Sequence, residues 1–122
     1  MKVNELRDAL LDYRVAKAEG SRGAEYVFEG GRWQAKDCGV RVFYSRTWTQ
    51  AGPIIERERI GIETWNDGRT GAPIWVATTF ENRTMSLLSS QRSKSGATPL
   101  IAAMRCYVAS KFGEEVPDEV QS

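Results

Sequence analysis

Residues 52–64 read Gly52-Pro53-Ile54-Ile55-Glu56-Arg57-Glu58-Arg59-Ile60-Gly61-Ile62-Glu63-Thr64. Four charges of alternating sign, Glu56 to Arg59, stand between aliphatic residues. Read as a strand, Ile54 to Trp65 runs on to the turn Asn66-Asp67-Gly68. Side chains of a strand alternate between its two faces. Ile55, Arg57 and Arg59 then share one face, and Ile54, Glu56, Glu58, Ile60 and Ile62 the other, so the segment sorts its charges by sign. Two uses fit this pattern. The charges can form a solvated face of cross-strand pairs, each contributing at most about 1 kcal/mol. Alternatively Arg57 and Arg59 face an anion, because guanidinium forks match phosphate and carboxylate geometry. Glu56 and Glu58 would then organise basic groups or bond to ribose or base edges, and Arg57→Ala would weaken nucleotide binding.

The flanking sequence predicts more strands. Ala24 to Phe28, Gly30-Gly31 and Arg32 to Ala35 read as a hairpin on a glycine turn. Gly39 to Tyr44 puts Val40, Val42 and Tyr44 on one face, with Arg41 and Phe43 opposite. Ser45 to Pro53 reads as a polar and aromatic connection, Pro73 to Thr79 as a strand, and Arg83 to Leu88 as a last one. Two helices bracket this region. Asn4 to Glu19 has Asn4 as cap, Leu6, Leu10, Leu11 and Val15 at helical spacing, and Gly20 as its stop. A second helix has Thr98 as cap, Pro99 in its first turn and Gly113 past its end. Ala102, Ala103, Cys106 and Ala109 give it a small-residue side suited to close packing. Residues 114–122 read as an acidic, frayed tail. The expected class is α+β, a single domain over residues 1–122, with an antiparallel sheet meander flanked by an N-terminal and a C-terminal helix.

Bulk chemistry narrows the functions. The chain has 122 residues, 41% hydrophobic and 27% charged, the balance of a soluble domain that can bury a core without disulfides or metal. A net charge of +1 gives no overall attraction to nucleic acid or membrane. No apolar run reaches the roughly 20 residues of a membrane span. Met1 to Asp8 lacks the apolar core of a signal peptide, so the expected compartment is the cytoplasm. The sequence contains no histidine, which removes Ser-His-Asp and Cys-His nucleophile systems within one chain. It also weakens the case for zinc or non-haem iron, and the carboxylates are scattered rather than grouped. No cofactor is expected, and catalysis is disfavoured. Cys106 reads as a reduced core thiol, and Cys38 as structural or incidental.

Candidate binding residues cluster in two further places. Tyr44, Ser45, Arg46, Thr47 and Trp48 combine aromatics, hydroxyls and an arginine, a mixture that stacks a base and bonds a ribose. Taken alone, Tyr44 or Trp48 reads first as core or dimer-interface packing. Downstream, Asn82 to Gly113 contains no acidic residue but holds Arg83, Arg92, Lys94, Arg105 and Lys111. Ser93 to Thr98 leads into a helix N-terminus, whose free N–H groups attract anions, although the Walker spacing is absent. The plainer reading is a surface loop with an ordinary Thr98 cap. Arg105, in mid-helix, faces solvent or pairs with Glu56 or Glu58.

The runs Tyr44-Ser45-Arg46-Thr47-Trp48 through Gly52-Pro53-Ile54-Ile55-Glu56-Arg57-Glu58, and Thr98-Pro99-Leu100-Ile101 through Phe112-Gly113, resemble the NinX-like family of small phage and prophage proteins. Leu11-Asp12-Tyr13-Arg14-Val15-Ala16-Lys17-Ala18-Glu19-Gly20 is similar to the family's opening helix, while residues 66–95 carry little resemblance. The resemblance implies a phage origin rather than a mechanism. Small accessory phage proteins regulate, bind host factors or counter host defence, some of them as oligomers that sequester nucleotide-derived immune signals. The expected function is therefore non-catalytic binding of a nucleotide-like anionic small molecule by a homo-oligomer. The alternative is a protein-interaction module that inhibits or adapts a host protein. Membrane and nucleic-acid partners are not expected.

Overall fold

The structure is a computed structural model that describes residues 1–79 and 93–117. In chain order, a 3-10 turn at Val3–Glu5 leads to helix α1 (Asp8–Ala18) and strands β1 (Ala24–Glu29), β2 (Arg32–Asp37) and β3 (Val40–Arg41). Helix α2 (Trp48–Glu58) precedes β4 (Gly61–Asn66), β5 (Pro73–Thr78) and β6 (Lys94–Gly96), and α3 (Pro99–Phe112) follows. The strands pair antiparallel in chain order as two three-stranded meanders, β1-β2-β3 and β4-β5-β6. The class is α+β, as expected, with helices in both terminal regions. The strand expected at Arg83 to Leu88 lies outside the described residues.

The strand expected over Ile54 to Trp65 is corrected: its first half is helical. Ala51, Ile54 and Ile55 recur at i, i+3 and i+4, which makes one apolar stripe on a helix. Ala51 and Ile54 are buried and Ile55 half-buried. Pro53 sits exposed on the outer side, where its missing N–H weakens the helix without disturbing the core. The helix closes through a paired C-terminal motif, with Arg59 N–H bonding to the Glu56 carbonyl (3.3 Å) and Ile60 N–H to that of Ile55 (3.0 Å). This requires a left-handed residue, and Arg59 takes that conformation at φ 52°. Glycine normally marks such a stop, so an arginine there leaves no signal in the sequence.

The remaining boundaries follow local chemistry. The hairpin forms as read, with Phe28 opposite Trp33. Gly20, at φ 83°, ends α1. The Thr98 hydroxyl accepts the Ile101 N–H at 3.2 Å at the start of α3. The first helix is shorter than expected because Leu6 and Arg7 are extended. The third strand shrinks to two residues as the chain turns toward α2.

Helix α1 has the first sheet on one side and α3 on the other. Its six consecutive residues Leu11 to Ala16 are therefore all buried, including charged Asp12 and Arg14. Leu11 and Val15 join the main core with α2, α3 and Ala77 of β5, while Tyr13 and Ala16 join a smaller core with Ala24, Ala35 and Val42. On the far side of α3, a β-carbon at Gly96 would lie 2.7 Å from the Ala102 backbone nitrogen and 2.7 Å from Ile101 Cγ2. Only glycine lets β6 approach the helix so closely.

Two stability changes test this packing. Gly96→Ala is expected to cost about 1–3 kcal/mol by overpacking, read from urea denaturation. Arg59→Gly is expected to stabilise by roughly 0.5–1 kcal/mol by relieving the left-handed position. A strand through residue 59 would give the opposite sign.

Candidate functional site

Arg57 is held by protein groups. Its guanidinium forms a two-point pair with Glu19 (2.6 and 3.3 Å), bonds Glu58 through Nε at 2.9 Å, and donates to the Tyr107 hydroxyl at 3.2 Å. Tyr107 in turn donates to Glu19 and to the Ala18 carbonyl. The network joins the ends of α1 and α2 to the middle of α3. Partial burial raises the Glu19 carboxyl, but the hydrogen bonds from Arg57 and Tyr107 outweigh this and hold it below its ordinary value. Burial and the Glu19 carboxylate both push the Tyr107 hydroxyl up. Glu58 also has Lys111 at 4.0 Å, Glu56 is exposed, and Arg59 serves the helix stop. Because the segment is helical, Arg57 and Arg59 do not form one strand face.

The other expected residues separate into structural and open groups. Tyr44 is half-buried against both cores. The backbone N–H of buried Ser45 donates to Asp12 Oδ1 at 2.7 Å. The Thr47 hydroxyl donates to the Phe43 carbonyl at 3.0 Å, and Trp48 begins α2 with 55% of its surface exposed. Lys94 is only 2% exposed, lies in β6 rather than a loop, and pairs with Glu114 at 2.6 Å. Thr98 caps its own helix. Arg92 lies outside the described residues.

Arg46 and Arg105 meet elsewhere, in a cleft of about 700 Å³ between the N-terminal turn, the start of α1 and the first sheet. Arg7, Arg32 and Arg41 line it too, setting five guanidinium groups against the carboxyls of Glu5, Asp8 and Asp12. Among the described residues, the salt bridges outside this cleft engage Lys36, Arg57, Lys94 and Lys111, and none engages these five arginines. Arg41 and Arg46 both lie over the Phe43 ring, at 4.9 and 5.0 Å from its centre. Such cation–π contact fixes a guanidinium without neutralising it. Arg105 does not reach Glu56 or Glu58. Its Nε and Nη1 donate to the carbonyls of Leu6 and Ser95, each at 2.8 Å. Burial, then the charge of Arg7, makes it easier to deprotonate than an ordinary arginine. Two like charges thus converge, and among the described residues no carboxylate is bonded to either.

Aromatic surface completes the cleft. Trp33 stacks on Tyr26 with centres 4.7 Å apart and planes 18° from parallel, yet 52% of it stays exposed. Asp12 is among the lining residues, and its carboxyl is raised by burial, an effect that hydrogen bonds from the Ser45 backbone and side chain and the charge of Arg46 only partly offset. Arg7, Arg32, Trp33 and Asp12 were not singled out from sequence, because they come from separated segments of an unremarkable charge pattern. One signal was available: in the strand read over Gly39 to Tyr44, Arg41 and Phe43 share a face.

Fold and cleft define a small α+β protein with an arginine-rich, aromatic-walled recess. Residues 2–111 match the family described as "Bacteriophage P22, NinX", and the chain belongs to that phage protein family. No curated protein matches it. Among the described residues no helix is long and apolar enough to cross a membrane.

The helix-joining network has a pH signature. Glu19 is depressed in the fold, so its contribution is present above the ordinary glutamate value of 4.5 and is lost as pH falls through the lower folded value. Glu19→Gln is expected to cost about 1 kcal/mol at neutral pH. Melting curves should show the gap to wild type closing in acid below that value.

Proposed function

We propose that this NinX family member is a phage accessory protein that binds a nucleotide-derived anionic small molecule in the arginine-lined cleft, without catalysis, and so withdraws a host immune signal from solution. The observation that supports this reading is the convergence on one recess with exposed aromatic faces of five arginines that form no salt bridge among the described residues. Guanidinium groups hold phosphate oxygens in pairs, and an aromatic face stacks a base. A recess of this volume accommodates a nucleotide-sized ligand. The absence of histidine removes the commonest proton-transfer group from any reaction in the cleft.

Self-association belongs to the same proposal. Phe28 and Val40, 60% and 67% exposed beside the cleft, supply apolar surface for a second copy. The same surface favours the alternative, docking on a host protein.

Protein purified from infected cells, heat-denatured and cleared, is expected to release a nucleotide identifiable by mass spectrometry. In calorimetry with adenosine diphosphate as probe, Arg41→Ala and Arg46→Ala should each weaken binding about tenfold or more. Arg57→Ala, outside the cleft, should leave affinity unchanged. Full affinity in both cleft variants would overturn the site, and co-purification with a host protein but no released nucleotide would favour the alternative.

A further inference from the structure

The cleft arginines stand in two settings. Arg41 and Arg46 come from the segment that leaves the first sheet, and both guanidiniums lie over one ring, that of Phe43, at 4.9 and 5.0 Å from its centre. Arg7 and Arg105 come from the start of α1 and the middle of α3. Arg105 Nε donates to the carbonyl of Leu6, the residue before Arg7, at 2.8 Å, and its Nη1 to Ser95. These bonds leave Nη2 over, and after burial the charge of Arg7 is what acts on this guanidinium. Like charges held side by side repel unless an anion lies between them. Among the described residues no salt bridge supplies an anion to either pair. The cleft that contains both has a volume of about 700 Å³, far more than one phosphate group fills, and the exposed Trp33 lines it as well.

Resting on the reading of this cleft as an anion site, we infer that it holds two separate phosphate subsites, Arg41 with Arg46 and Arg7 with Arg105, and that its ligand is a nucleotide with phosphates at two separated positions. The 3′ and 5′ oxygens of one ribose provide such positions, and so does a dinucleotide. Each guanidinium pair offers parallel N–H donors to one group of phosphate oxygens. A diphosphate chain gathers its charge at one end of the nucleotide and engages one pair. Arg41 and Arg46 are both exposed whereas Arg105 is half-buried, so the first pair takes that end. Separated phosphates engage both pairs and leave the base to stack on Trp33. Arg32, beside Trp33 in β2, belongs to neither pair.

Calorimetry on the full chain compares adenosine 3′,5′-bisphosphate with adenosine diphosphate, which share a base and the number of phosphates. Wild type is expected to bind the bisphosphate about tenfold or more tightly, the effect of added hydrogen bonds between charged groups. Arg7→Ala should remove that margin and leave the affinity for adenosine diphosphate unchanged, whereas Arg41→Ala should weaken both. Should Arg7→Ala fold poorly, phosphorus NMR of the bisphosphate on wild type serves instead. Both phosphate resonances should shift on binding, and a shift of one alone would overturn the second subsite. Bisphosphate bound no more tightly than the diphosphate, or Arg7→Ala acting alike on both probes, would overturn the division into two subsites. The anion site would then still stand on the loss of diphosphate affinity in Arg41→Ala. No binding of either probe would overturn the anion site and this inference together.

Discussion

The constraint on which the rest depends is the burial of α3 on several sides at once. Leu100, Ala102, Ala103, Met104, Cys106, Tyr107 and Val108 are all buried, and the helix touches α1, α2, the N-terminal turn and all three strands of the second sheet. Small side chains permit this, since Gly96 lies directly against the Ala102 backbone. A helix so enclosed fixes its neighbours by close packing, because a dense core yields little to displacement. Two polar residues of this helix, Tyr107 and Arg105, reach different neighbours: the end of α1 and α2 for the first, Leu6 and β6 for the second.

Those two residues explain why one arginine cluster is structural and another is open. Tyr107 meets Glu19 and Arg57, so charge at the helix ends is cancelled locally. Among the described residues Arg105 bonds to backbone carbonyls, which accept its N–H groups but carry no full negative charge. Its positive charge is therefore passed on to the cleft, where Arg7 adds to it. Hydrogen-bond satisfaction and charge neutralisation are separate requirements, and the cleft arginines differ from Arg57 in the second.

Much of the fold was legible because local rules governed it. The glycine turn at Gly30-Gly31, the Thr98 cap, and Gly20 and Gly113 beyond their helices each depend on a few neighbouring residues. Helix α2 was harder to read. Its apolar stripe is short, Gly52-Pro53 looks like a break, and its left-handed stop is Arg59. The run Glu56 to Arg59 therefore looked like a strand with sorted faces, while its real partners, Glu19 and Tyr107, lie 38 and 50 residues away from Arg57. For the site, Arg46 and Arg105 were among the expected residues, but their meeting with Arg7, Arg32 and Arg41 was not visible.

By itself the sequence determined the α+β class, the resemblance to a phage family, the ends of the hairpin and of α3, and the absence of histidine chemistry. Each of these depends on residue identity or on spacing within a few turns of chain. Only the tertiary structure decided which arginines are neutralised, which carboxylate is buried, and where the cleft lies. Pairing between charges is a matter of a few ångströms in space, and the packing around α3 sets those distances between residues that the sequence keeps far apart.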